Sequence, residues 1–169
     1  MINIKRFGLT HMQIKKILLL AITHLSMLAL GVIVGIYTLP ILTAPPAPSD
    51  AEIARTAANA EYHGVFKRDL QGSDFLHWGE GKVAIGKSEI TLQGKLAPGP
   101  DYKLYLSPQF VETEAEFDQL KADMLQIGDI KTFKNFRVKV APGTRLTQYN
   151  TVVVWCESFG EFITSAKYR

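Results

Sequence analysis

The chain has 169 residues, with 19 Lys and Arg against 16 Asp and Glu, a formal net charge of +3 and a single cysteine. One cysteine excludes an intramolecular disulfide, and so the disulfide-knit class of small secreted domains. Four of the basic residues, Lys5, Arg6, Lys15 and Lys16, precede a long uncharged run, which leaves 15 against 16 and a net charge of −1 beyond it; a near-neutral domain has no general electrostatic reason to bind nucleic acid, and no nucleic-acid partner is expected.

Residues Ile17–Leu42 contain no Asp, Glu, Lys or Arg. As a helix, the stretch from Ile17 to Leu39 would reach about 35 Å at roughly 1.5 Å per residue, longer than the ~30 Å hydrocarbon core of a bilayer. It is therefore expected to span a lipid bilayer with some tilt. Basic residues beside a span stay cytoplasmic, so residues 1–16 are expected to form a cytoplasmic stub, with the C-terminal portion periplasmic or extracellular. A cleaved signal peptide would have an apolar region of only about 7–15 residues before a small-residue cleavage site. Here the run is much longer and ends in Leu42-Thr43-Ala44-Pro45-Pro46, so an uncleaved signal anchor is expected over residues 17–42. Gly31 and Gly35 have the Gly-x-x-x-Gly spacing that lets two helices approach, a spacing that also recurs by chance. His24 is an ionisable group inside the run, satisfied by backbone or headgroups, or else paired with His11 as a haem ligand between helices.

Residues 43–60 read as a linker. Thr43 to Asp50 is proline-rich and favours a stiff extended spacer. Ala51 to Ala60 predicts a short helix capped by Ser49 or Asp50. From residue 61 to 169 the pattern becomes that of short strands. Ile90, Leu92 and Leu96, then Tyr102, Leu104 and Leu106, then Phe136, Val138 and Val140 alternate with polar or outward positions, as half-buried strands do. Val152 to Cys156 is apolar on both faces, as expected of a central strand covered on each side. Phe159, Phe162 and Ile163 suggest a final strand. Turn signals occupy Ala97-Pro98-Gly99-Pro100 and Ala141-Pro142-Gly143-Thr144. Thr113 and Glu116 have capping-box spacing, and Phe117, Leu120 and Met124 share a face, which predicts an amphipathic helical insertion ending near Gly128. The expected fold is mainly β: a small antiparallel sandwich or barrel with a helical insertion, preceded by a single transmembrane helix.

Gly81-Lys82-Val83-Ala84-Ile85-Gly86-Lys87-Ser88 satisfies the phosphate-loop pattern Gly-x4-Gly-Lys-Ser. That pattern binds phosphate where a strand runs into a helix N-terminus. Here Glu89 to Leu96 alternates like a strand, so no nucleotide partner is expected. Cys156, alone in an oxidising compartment, is a core residue, an intermolecular link, or a metal-binding or redox group. His63 and His77 are the histidines beyond the run, and with Cys156 they fall short of the four ligands of a structural zinc site without a carboxylate. His77 sits in a loop-like stretch beside Trp78 and Gly79, as a turn residue or a ligand. No spacing singles out a nucleophile and base, so no motif supports an enzyme.

Several of these residues together resemble the DM13 domain family, often labelled electron-transfer DM13. They are Phe66, His77-x-x-x-Gly81-x-Val83, Gly99-Pro100-Asp101 leading into Tyr105-Leu106-Ser107, Ile127-Gly128-x-Ile130-Lys131, Tyr149 and Val153-Val154-Trp155-Cys156. The resemblance covers roughly residues 62–167. It implies a small β-rich extracytoplasmic module with a proposed electron-transfer role, in which Cys156 matches the family cysteine and His77 the family histidine, with Trp155 and Asp101 supporting them. The single-span layout is similar to bacterial members of that family. One thiol cannot run a dithiol cycle alone, so a redox role requires a bound metal, a haem or a partner cysteine, supplied with a separate membrane or periplasmic redox protein. The alternative is a non-catalytic binding or structural domain in which Cys156 is purely a core residue.

Overall fold

The computed structural model describes residues 10–169; Lys5 and Arg6 of the basic stub lie outside the described residues. The first element, α1, runs over His11–Thr43, 33 residues with none buried. It begins earlier than the uncharged run because Thr10 and Gln13 close a reciprocal cap: the Gln13 amide donates to Thr10 Oγ1 at 3.3 Å and the Thr10 amide to Gln13 Oε1 at 2.8 Å. By length and composition, α1 is one helix able to cross a membrane. His24 Nδ1 donates to the Leu20 carbonyl at 2.7 Å, so the backbone of its own helix satisfies one nitrogen. The chain divides into two compact units, with the boundary after Ile36.

In the second unit, α2 spans Asp50–Ala57. Its cap is Ser49, whose hydroxyl accepts from the Glu52 amide while the Glu52 carboxylate accepts from the Ser49 amide. Eight strands follow: β1 Tyr62–Phe66, β2 Gly79–Ile85, β3 Glu89–Leu96, β4 Tyr102–Ser107, β5 Leu125–Ile130, β6 Lys134–Lys139, β7 Thr151–Cys156 and β8 Glu161–Lys167. A helix, α3, covers Glu114–Leu120 and continues as a single 3-10 turn over Lys121–Asp123. The strands make two antiparallel four-stranded sheets, ordered β1-β2-β3-β6 and β5-β4-β7-β8. Their inner faces enclose the main core, including Val83, Ile90, Leu92, Leu104, Leu106, Val152, Val154 and Ile163. A second, smaller core of Tyr105, Val111, Phe117, Val153, Trp155 and Phe162 lies on the outer face of the second sheet beside α3. The fold is thus mainly β, a two-sheet antiparallel sandwich with a helical insertion and a long apolar N-terminal helix.

The central position of β7, between β4 and β8, explains why all six of its residues are buried. The segment Gly81–Ser88 spans β2 and the hairpin into β3 rather than a strand-to-helix junction. Three local expectations are corrected. The helical insertion stops at Asp123, and Leu125–Ile130 is a strand paired with β4; Met124 is already extended, because backbone pairing along β4 outweighs the helical periodicity. The last strand begins at Glu161, with Phe159 in the preceding turn and 54% exposed. Val140 lies just past β6, its amide donating to the Ser88 carbonyl at 2.8 Å.

Candidate functional site

Alternate residues of β7 enter different cores. Val152, Val154 and Cys156 face the other sheet, whereas Val153 and Trp155 face the α3 side. Cys156 is only 3% exposed and pairs with Tyr102 across β4. Burial pushes its thiol up, against backbone hydrogen bonds from Phe159 and Asp101 that favour the thiolate. Protonated thiol is the resting form, a poor nucleophile. Asp101 organises the end of the sandwich beside it. Its carbonyl accepts from the Glu157 amide at 3.0 Å, and its carboxylate accepts from Ser158 at 3.2 Å and binds the Lys103 ammonium at 2.7 Å. Lys103 also bridges to Asp129 at 2.9 Å, and the two carboxylates raise it to about 12. Gly99 must lack a side chain, because a Cβ there would run into the Tyr102 ring. That contact gives a physical reason for the Gly-Pro-Asp sequence ahead of β4.

The other face of β7, expected from its apolar residues to be covered, packs against α3. Trp155, 2% exposed, stacks on Phe117 of α3, and Phe117 meets Tyr105 of β4 edge-on. The Tyr105 hydroxyl donates to the Glu157 carboxylate, whose second oxygen accepts from Lys121 at 2.8 Å. Burial and the Glu157 carboxylate push the Tyr105 phenol well above its ordinary range. Burial works to raise Glu157 as well, but the Lys121 ammonium and the Tyr105 hydroxyl outweigh it and hold that carboxyl low. The alternation of β4 placed Tyr105 with the outward-facing polar positions. It is instead 4% exposed, because α3 covers that face. The signal available in the sequence was Phe117 on the apolar stripe of the insertion.

His77 lies in the loop ahead of β2, in a turn closed by Asp74. Asp74 Oδ1 accepts from the Leu76 and His77 amides at 2.6 and 2.7 Å, and Oδ2 accepts from His77 Nδ1 at 3.0 Å. Burial works to raise Asp74, but these hydrogen bonds hold its carboxyl below the ordinary value. The turn displays Phe75, which is 91% exposed. Next to it, the Arg68 guanidinium lies 3.3 Å above the Trp78 ring and reaches Glu80 at 2.9 Å. Among the described residues, no hydrogen bond or ion pair joins His77 to Cys156, and no three His, Cys, Asp or Glu side chains gather as a metal site. Trp155 and Asp101 both adjoin Cys156, one through the chain and one through the turn that follows β7.

Sandwich, core thiol and apolar helix together define a small β-sandwich module joined in one chain to a helix able to span a membrane. The family model for electron transfer DM13 matches residues 70–168, more than half of the chain, and the chain belongs to that family. No match is found among curated proteins or among solved structures.

Proposed function

We propose that this chain is a membrane-anchored, extracytoplasmic electron-transfer accessory that works with a separate membrane or periplasmic redox protein. The observation that carries this reading is the union, in one chain, of an electron-transfer DM13 sandwich and a helix apolar enough to cross a bilayer. The basic residues ahead of the uncharged run Ile17–Leu42 support a cytoplasmic N-terminus and an uncleaved anchor. His77 suits contact with a metal centre. Asp74 fixes Nδ1 as the donor and so leaves Nε2 as the ring's acceptor, the carboxylate–histidine arrangement that orients metal ligands. Cys156 would serve as a buried ligand only by giving up its proton to the metal, since the thiolate is the binding form and burial holds the resting thiol protonated.

The test uses the full chain purified from membranes in detergent, beside Cys156→Ser and His77→Gln. Metal content, visible absorbance and reduction by a one-electron donor are measured with and without added copper or haem. A bound chromophore or reducible metal lost in either variant supports the reading. A wild-type chain that stays colourless, metal-free and redox-silent with both additions overturns it. The burial of Cys156 favours a second reading, a binding or structural domain whose cysteine is core packing; under it, Cys156→Ser changes stability alone. Recovery of a mature N-terminus after Ala44 would overturn the anchor.

A further inference from the structure

The compartment beside α3 lines up three buried rings and a carboxylate. The Trp155 and Phe117 ring centroids are 3.9 Å apart with planes 7° from parallel, and Phe117 to Tyr105 is 5.2 Å at 85°. The Tyr105 hydroxyl reaches Glu157, which takes it on one oxygen and Lys121 on the other, while Gln126 Oε1 lies 3.1 Å from the same hydroxyl as a second, uncharged acceptor. Glu157 opens the β7–β8 turn, and at the far side of the same turn a Cβ added to exposed Gly160 would lie 3.9 Å from Trp155 Cζ2. The indole edge therefore sits just inside the β7–β8 turn that carries exposed Phe159.

Packing alone does not call for this set. Aliphatic side chains of matching volume would fill the space without burying a phenol against a carboxylate, a pairing that costs desolvation. Rings in contact couple electronically. A phenol yields an electron far more readily when its proton can leave at once to a hydrogen-bonded base, and here the base is already in place.

We propose that Trp155, Phe117 and Tyr105 form a one-electron relay from the β7–β8 turn, with Glu157 as the proton acceptor for Tyr105. The inference rests on the electron-transfer reading above. An oxidised, high-potential metal centre of a partner docked on the turn takes one electron from Trp155. Tyr105 refills the indole through Phe117, its O–H bond breaks, and the proton passes to Glu157 Oε1. The products are the partner reduced by one electron, a neutral Tyr105 radical and a protonated Glu157. A small one-electron reductant such as ascorbate then restores Tyr105 as Glu157 returns the proton.

Flash photolysis of the full chain in detergent, with tris(bipyridine)ruthenium and a sacrificial electron acceptor, generates a one-electron oxidant without any natural partner. Tyrosyl radical is read by electron paramagnetic resonance on samples frozen after the flash with no reductant added, and the Tyr105 contribution is the part of the signal lost in Tyr105→Phe. The expected result is a persistent radical in the wild type that is lost in Tyr105→Phe and formed more slowly in Phe117→Leu. Its yield should fall as pH drops through the Glu157 range, with Lys121 and Asp101 the charged groups nearest that carboxylate, and should be insensitive to pH in Glu157→Gln. Near-ultraviolet circular dichroism confirms folding of each variant. A persistent radical unchanged in Tyr105→Phe, no persistent radical in the wild type, or an unaltered rate in Phe117→Leu would overturn the relay. Failure of the metal and haem measurements with a positive radical result would remove the accessory reading while leaving the relay chemistry intact.

Discussion

Replacing Asn135 should loosen the attachment of the linker to the sandwich by an amount that separates hydrogen bonding from backbone strain. Asn135 is 2% exposed and, at φ 52°, the one non-glycine with positive φ among the described residues. It sits across from the bulge between Leu92 and Lys95 of β3. Its Oδ1 accepts from the Gly94 amide at 3.0 Å, and its Nδ2 donates to the Pro48 carbonyl at 3.0 Å and to Asp50 Oδ1 at 2.9 Å. One side chain thus joins the bulge, the proline segment and the start of α2. Asn135→Ala strands the half-buried Gly94 amide, which costs about 1 kcal/mol, and removes two bonds to partly solvated acceptors, together about 1 more. Alanine in the left-handed region adds roughly 1 kcal/mol that asparagine tolerates better. The total is about 3 kcal/mol, and Asn135→Gly should cost roughly 1 kcal/mol less because it carries no strain.

Urea unfolding of the full chain in detergent, followed by tryptophan fluorescence, reads this directly, since both tryptophans, Trp78 and Trp155, lie in the sandwich. With a slope of roughly 1–3 kcal/mol per molar urea, the Asn135→Ala midpoint should fall by about 1–3 M at unchanged slope. Equal losses in the alanine and glycine variants would refute the strain argument. A loss under about 0.5 kcal/mol in both would refute the clamp itself.

The Lys103 bridge should show in alkaline titration of stability. Its ammonium is raised to about 12 by Asp101 and Asp129, so its contribution is full below the unfolded lysine value near 10.4 and is lost as pH rises through about 12. Lys103→Met should remove that component of the pH dependence; an identical alkaline profile would refute it. Thr91 and Thr164 bury hydroxyls that have no hydrogen-bond partner among the described residues, so Thr164→Val and Thr91→Val should be neutral or stabilising by about 1 kcal/mol in the same unfolding assay, and a clear loss would show that the hydroxyls are satisfied. Cys156→Ser should cost about 1–3 kcal/mol, more than Cys156→Ala, because it places a hydroxyl in the inter-sheet core. The reverse order would mean that the thiol site is polar.

What was legible in the sequence was what periodicity encodes. The two-residue alternation of β3, β4 and β6 and the doubly apolar β7 follow from which faces are buried, and composition alone identifies α1. The short strand β5 was masked because Met124 extends a helical stripe that ends in the 3-10 turn, so helical spacing and strand pairing competed over the same residues. Tyr105 was misplaced for a related reason: alternation tells which residues share a face, but not whether a distant insertion covers it. The Asp74 turn was equally hidden, since its four-residue closure depends on amide and ring geometry rather than on hydrophobic pattern.

The cover on both faces of β7, which its doubly apolar pattern predicts, decides how the candidate site is read. A strand covered on one face would leave Trp155 in solvent and Cys156 as the sole feature of interest. Because α3 closes the outer face, consecutive residues of one strand are delivered to two separate interiors: the thiol to the inter-sheet core, and the indole to a compartment with its own aromatic stack and a half-buried carboxylate at its edge. The thiol is held protonated, whereas in the proposed relay an oxidant that reaches this strand draws its electron, through Trp155, from the Tyr105 phenol of β4, whose proton already has an acceptor. The helical insertion supplies the ring that joins Trp155 to Tyr105 in the proposed relay, and variants of Phe117 test that role without disturbing Cys156.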